Sequence, residues 1–385
     1  MTLPRGAAAG TTLIELLVAT TVTLIALATI LSVALPWAGG IHAIGEAADV
    51  QQRLRVLAVS LARAIQHSGA GIVVGPGARL PRPWPALLPC RWAPGQPACQ
   101  PAADALTVLG LDAGLQLQLA EDMAGTSAPL VVALPPGCAA DQQACRFTDG
   151  TQAAIVDASG ARDEFVVTGV SSDGTLLTHA PATFSRAYRA GSVIGRTTLE
   201  AYHARADPGA GSLQLRSGRG GGDFPLLDGL AGIAIEYFGD PTPPVVLGTS
   251  GGRILVSYGP EPPRPGLDDP ADAWGAGENC TFVATAEALV PRLPSLPEDH
   301  GGLTRLSPAA LGDGPWCPDG GSAWRFDADL MRVRRVRLTL RVQAQSGAAR
   351  GSHPRLFSRP GDGRNAGALV PDLEVSVDVA LRNGR

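Results

Sequence analysis

A single carboxylate inside a membrane-grade apolar run is the residue of this chain whose chemistry most needs a partner. The stretch GTTLIELLVATTVTLIALATILSVAL runs from Gly10 to Leu35, and Glu15 is its one charged residue. No charged residue follows until Glu46. A carboxylate at the centre of a membrane helix costs about 2.5–3.5 kcal/mol, less near the helix end, and by default marks a functional site. No basic residue stands in the run to pair with it, so the chemistry expected of Glu15 is ion pairing with a cation brought from elsewhere.

Other chemistry-bearing patterns carry less. GTSGG (248–252) fits G-x-S-x-G with Ser250 as nucleophile, but the strand-like RILVSYG follows where a nucleophile elbow needs a helix. A hairpin turn is expected there. His42, His67, His179, His203, His300 and His353 are scattered singly, without the spacing of metal ligands. GRGGGDF (218–224) lacks the G-K-[ST] of a phosphate loop and reads as a turn. The acidic stretches GLDDPADAW (266–274) and PEDHG (297–301) lack the alternation of a calcium loop. No catalytic residue, metal or cofactor is expected, and the chain reads as a non-enzyme.

Arg332, Arg334, Arg335, Arg337 and Arg341 form the densest positive run. It reads as the solvated face of an amphipathic strand and its lead-in. Arg334, Arg335 and Arg337 are the candidates for contact with a partner subunit or DNA. The DNA reading is the weaker, because no aromatics interleave and the net charge is −4.

The elements that would position these residues begin with one long helix. Leu16 to Leu35 spans about 30 Å as a helix, one bilayer core. Arg5 before the run and Glu46 and Asp49 after it favour a cytoplasmic N-terminus. Beyond it, Val50, Leu54, Leu57, Leu61 and Ile65 recur at three- and four-residue spacing, an amphipathic continuation that stops at Ser68-Gly69. A helix over 11–67 would be about 80 Å long, with Pro36 and Gly39-Gly40 expected to kink or loosen it. Residues 68–385 then form a β-rich head. ALTVLG (105–110), LQLQLA (115–120), PLVVAL (129–134), EFVVTGV (164–170) and SVIGRTTLEAYHA (192–204) read as strands. So do AGIAIEYFG (231–239), RILVSYG (253–259), VRLTLRVQA (336–344) and LEVSVDVALRN (373–383). In VRLTLRV, Val336, Leu338, Leu340 and Val342 take one face of a half-buried antiparallel strand. The Pro- and Gly-rich stretch 260–325 is expected to be a surface insertion with a short helix near TAEALV (285–290). The fold class expected is α+β: a long N-terminal helix packed on a mainly antiparallel sheet.

Six cysteines, Cys90, Cys99, Cys138, Cys145, Cys280 and Cys317, allow about 15 pairings. Their spacing suggests Cys90–Cys99, Cys138–Cys145 and Cys280–Cys317, each closing a Pro- or Gly-rich loop. An even count in loops suits an oxidising compartment such as the periplasm. All 31 basic residues are arginine, a composition to which no function is attached.

The stretch Gly10-Thr11-Thr12-Leu13-Ile14-Glu15-Leu16-Leu17-Val18-Ala19 closely resembles the class III signal of type IV pilins and pseudopilins. LLDGLAGIAIEYFGD (226–240), LMRVRRVRLTLRVQA (330–344) and VDVALRN (377–383) resemble, more weakly, blocks of large minor pilins of the PilW class and J-type pseudopilins of type II secretion. The resemblance implies a leader, residues 1–10, removed by prepilin peptidase between Gly10 and Thr11, with Thr11 then N-methylated. It implies that Glu15 pairs with the N-terminal amine of a neighbouring subunit. It also implies an inner-membrane protein with a periplasmic head. Its partners would be other pilins or pseudopilins, the assembly platform and the lipid bilayer. A minor pilin of a tip or priming complex is the function expected. The pseudopilin, an anchored periplasmic enzyme, and a tip adhesin or DNA-uptake subunit are the alternatives.

Overall fold

A computed structural model of the chain describes residues 12–71, 84–92, 99, 101–135, 147–157, 161–207, 212–219, 222–250, 253–264, 274–299, 301–318, 325–344, 359–360, 369–370 and 372–382, without the side chains of 35–43, 113, 207, 212–213, 219, 250, 253, 359–360, 369–370 and 372. Gly10, Thr11, Cys138 and Cys145 lie outside them. The chain divides into two compact units, Met1–Arg53 with Gln343–Leu373, and Leu54–Val342 with Glu374–Arg385.

The long helix is α1, Leu13–Gln66. Its sequence is dense in Leu and Ala, strong helix formers. It stays helical through Pro36 and Gly39-Gly40, so the expected weak point does not interrupt it; a proline removes one ladder hydrogen bond and leaves the others in place. The amphipathic stripe is as read from the sequence, with Val50, Leu54, Leu57, Leu61 and Ile65 all buried. Ser68 Oγ donates to Ile65 O, and the Gly69 amide leaves the helix to donate to Leu109 O.

The strands follow in chain order: β1 Leu87–Leu88, β2 Ala105–Leu119, β3 Leu130–Ala133, β4 Gln152–Val156, β5 Arg162–Val170, β6 Leu176–Ala180, β7 Val193–Asp207, β8 Ser212–Arg219 and β9 Gly222–Gly239. Then come β10 Val246–Ser250, β11 Arg253–Val256, β12 Phe282–Ala284, β13 Leu289–Pro291, β14 Thr304–Leu306, β15 Trp316–Cys317, β16 Phe326–Asp327 and β17 Val333–Gln343. A 3₁₀ turn, Ala328–Arg332, leads into β17. The last strands are β18 Arg359–Pro360, β19 Leu369–Val370 and β20 Asp372–Ala380.

Two arrangements share the long strands β2 and β7. One is an open sheet in the order β1-β2-β7-β8-β9-β17-β20, with β14 also on β9. The other closes on itself: β2 pairs β3, β3 pairs β6, β6 pairs β5, β5 pairs β4, β4 pairs β7, and β7 pairs β2. That circuit is a six-stranded barrel, which leaves no free edge. Every strand of it sends alternate residues inward, among them Leu117, Leu130, Ile155, Phe165, Leu177 and Ile194. The register between β2 and β7 shifts between Leu111 and Gln116. Residues before that bulge belong to the open sheet and residues after it to the barrel, as a bulge redirects a strand. Gly71 lies against this bend with φ +74°, where an added Cβ would come within 2.1 Å of Leu111 O.

The described cysteine pairs are those suggested by spacing, Cys90–Cys99 and Cys280–Cys317. The short helix expected at 285–290 is instead the turn of the β12–β13 hairpin, closed by hydrogen bonds between Thr285 and Ala288. Six residues are too few to sustain a helix without packing. The 260–325 stretch is also more than a surface excursion: Cys280, Phe282, Leu293 and Leu306 are buried, and β14 extends the sheet. Ser250 pairs with Arg253 where β10 meets β11, and Gly218 pairs with Asp223 where β8 meets β9; residues 251–252 of GTSGG and 220–221 of GRGGGDF lie outside the described residues.

Ile65, wholly buried, anchors the last turn of α1, whereas Val59 is 47% exposed. Denaturant unfolding of the detergent-solubilised protein should show a loss of about 2–5 kcal/mol for Ile65→Ala and within about 0.5 kcal/mol of wild type for Val59→Ala.

Candidate functional site

The segment Leu13–Ala34 is a 22-residue helix of mean hydropathy 2.4, long and apolar enough to cross a membrane and with none of its residues buried. It fits a membrane anchor or a signal sequence. Its polar side chains are already provided for. Thr20, Thr21, Thr23, Thr29 and Ser32 each return a hydroxyl hydrogen bond to a carbonyl about one turn back. A lipid-facing helix requires that internal satisfaction.

Glu15 stands in the first turn of this segment. Thr12 N donates to Glu15 Oε2 at 2.9 Å, Thr12 Oγ1 donates to the same oxygen at 3.0 Å, and Glu15 N donates back to Thr12 Oγ1 at 3.3 Å. This is a capping box, T-x-x-E, a role that the sequence reading missed although the four residues Thr12 to Glu15 spell it. The cap satisfies backbone donors at the helix start and fixes the carboxylate beside residue 12. It does not supply a countercharge.

The arginine run is largely neutralised within the head. Arg337 grips Asp378 through Nε and Nη2 at 2.8 and 3.0 Å, with Glu236 at 3.9 Å. Arg334 donates to Met331 O and lies 3.9 Å from Asp240. Arg335 stacks over Phe238 at 4.5 Å. Arg332 departs from the expected solvated face altogether: it is 0% exposed, pairs with Asp329 at 2.8 Å and donates to Pro294 O. The 3₁₀ turn before β17 breaks the strand alternation and turns this side chain inward. The apolar face of β17 is as expected, with Val336, Leu338, Leu340 and Val342 all buried.

Around Arg332 the fold gathers Asp313, Asp327 and Asp329, whose carboxylate oxygens lie within 4.8 Å of one another. The grouping suggests a cation site that sequence spacing did not reveal. Two of its three carboxylates, however, already have partners. Asp327 accepts from the amides of Asp329 and Gly314, and Asp329 holds Arg332. Asp327 caps the 3₁₀ turn and Asp329 contacts Arg332, while Asp313 is exposed. Of the acidic stretches read from the sequence, 266–273 lie outside the described residues and 297–299 are exposed.

A second enclosed group is the cleft lined by Trp84, Leu88, Trp92, Arg162, Glu164 and Phe326. Arg162 lies 3.4 Å from the Trp84 ring centre and is ion-paired with Glu164. Stacking and pairing together make its burial tolerable. His179 stacks on Phe184 at 4.0 Å and places its ring nitrogens near Pro181 O and Ala128 O. This is a packing role.

Burial, reinforced by Asp327 and Asp313, raises the Asp329 carboxyl to about 7 against the opposing pull of Arg332. The unfolded value is near 3.9, so the folded state holds the proton more tightly. The Asp329 contribution to stability is full below about pH 4 and lost as pH rises through about 7. Asp329→Asn should flatten the fall in melting temperature between pH 4 and pH 7.5 relative to wild type. Comparison of the chain with family models, curated proteins and solved structures finds no match to any of them.

Proposed function

We propose that the chain is a minor pilin-type subunit, a structural rather than catalytic protein held in the inner membrane by α1 and assembled through it into a type IV filament. The observation that carries this reading is the segment 13–34: wholly exposed, apolar and marked by a single acid in its first turn. An exposed apolar helix of this length needs lipid or other helices around it. Filament assembly exchanges one for the other.

The acid gives the reading its specificity. Proteolysis between Gly10 and Thr11 would create an ammonium one residue from Thr12, whose backbone and hydroxyl already hold the Glu15 carboxylate. A cation made by cleavage would stand in the chain next to the residue that holds the anion, and pairing the two charges offsets the cost of placing either in lipid. On a neighbouring subunit the same ammonium becomes an assembly contact. The head suits an extracytoplasmic setting through its disulfides. The J-type pseudopilin of a secretion system shares these physical features and stands as the second assignment.

N-terminal mass spectrometry of the protein purified from cells with active prepilin peptidase should find N-methylated Thr11 as the first residue. A start at Met1, or one beyond Leu35, would contradict the reading. In those cells Glu15→Leu as the sole copy should insert and be cleaved, yet assemble at least about tenfold less, the order of one lost ion pair. Wild-type filament numbers in that variant would remove Glu15 from the assembly mechanism.

A further inference from the structure

A concentrated group of opposite charges lies on one face of the open sheet, where β7, β8 and β9 run side by side. Asp223, near the start of β9, is met by Arg205 at 3.1 Å, Arg216 at 3.1 Å and Arg91 at 3.7 Å. His203 Nε2 lies 3.6 Å from its other oxygen. Strand pairing explains the convergence. His203 opposes Arg216 across β7 and β8, and Gly218 opposes Asp223 across β8 and β9, so alternate residues of three strands share this face. Arg91 arrives from the loop that follows β1.

Two properties separate this group from an ordinary surface ion pair. The first is charge: three guanidiniums face one carboxylate, leaving a surplus of two positive charges while His203 is neutral. Arg216 is tied down by Gln214 Oε1 and Asp223 O. The side chains of Arg91 and Arg205 are 48% and 60% exposed and remain open to a ligand from solvent. The second is an unmet polar group. His203 is 5% exposed, yet neither ring nitrogen makes a hydrogen bond, and Asp223 Oδ1 makes none either. Leaving a buried polar group unpaired is unfavourable. Burial first, then the positive charge of Arg91, holds His203 below its usual value against the opposing pull of Asp223, with Arg216 and Arg205 adding to the depression.

We infer that Arg91, Arg205, Arg216 and His203 form a binding site for a phosphate-type dianion. Such a ligand matches the surplus charge, accepts planar forked donation from arginines and gives the buried imidazole an acceptor. Asp223 acts as the fixed spacer that holds the guanidiniums together in its absence. Binding favours the imidazolium, so ligand and proton bind cooperatively.

The test is an NMR titration of the full-length, detergent-solubilised protein carrying ¹³C-labelled histidine, with the His203 signal assigned by its loss in His203→Gln. Ionic strength is held constant with sodium chloride. Inorganic phosphate should move the His203 signal saturably and raise its midpoint by about one pH unit, the effect of one close anion. Acetate at equal concentration should not. Arg91→Ser/Arg205→Ser should weaken phosphate binding at least tenfold; should that pair fail to fold, Arg205→Ser alone is read the same way. Arg337→Ser, which removes a guanidinium on β17 that pairs with Asp378, should leave binding unchanged. Phenyl phosphate distinguishes sources: binding equal to that of phosphate assigns a phosphate group borne on a larger molecule, and its exclusion assigns the free ion. An unmoved His203 signal, an equal response to acetate, or full binding by the arginine variants would overturn the site.

Discussion

The mismatch between water and the surface of residues 13–34 decides where this protein can be stable. Every residue of that helix segment is exposed, and its hydroxyls are already bonded to its own backbone. It has nothing to offer water and no surface of its own to bury against. Such a segment is stable in lipid or among like helices. Against that background one carboxylate is conspicuous: the capping box with Thr12 satisfies its hydrogen bonding but not its charge. Capping explains why an acid is favourable at a helix start, since anions there also complement the helix dipole. It does not explain why the helix it caps is membrane-grade.

The head solves a different problem. A long antiparallel sheet exposes edges, and this one uses β2 and β7 twice, once in an open sheet and once in a closed barrel. The bulge between Leu111 and Gln116 divides the two uses. Arginine does the polar work in both. Guanidiniums lie over Trp84, Trp274, Trp316 and Phe238, which a flat, delocalised cation does better than an ammonium. The lack of lysine, read from composition as uninformative, therefore has a structural consequence: this chain stacks its cations as well as pairing them.

Local pattern was legible in the sequence, and closure was not. The two described disulfides are pairs that spacing suggests, and the stripe Val50 to Ile65 and the alternation in β17 follow from spacing. The barrel does not, because its strands β4 (QAAIV) and β6 (LLTHA) are short and weakly alternating. The pairing of β2 with both β3 and β7 is also a long-range choice. Arg332 was misread because a single 3₁₀ turn changes the side-chain period just ahead of β17. The charge group at Asp223 joins residues from 91 to 223 whose common face exists only after the strands pair. The capping box at Thr12 and Glu15 was fully legible and was overlooked beside the membrane context.

Cap and charge can be separated at one atom. Glutamine at position 15 retains the capping hydrogen bonds, because Gln serves at the third position of a capping box as Glu does, but it carries no charge. The measurement is the number of filaments assembled by cells whose only copy is Glu15→Gln, with cleavage at Gly10-Thr11 checked in the same sample. Loss of assembly with cleavage intact is the result predicted by charge pairing in the membrane. Wild-type assembly by that variant would show that the cap suffices and would contradict the account.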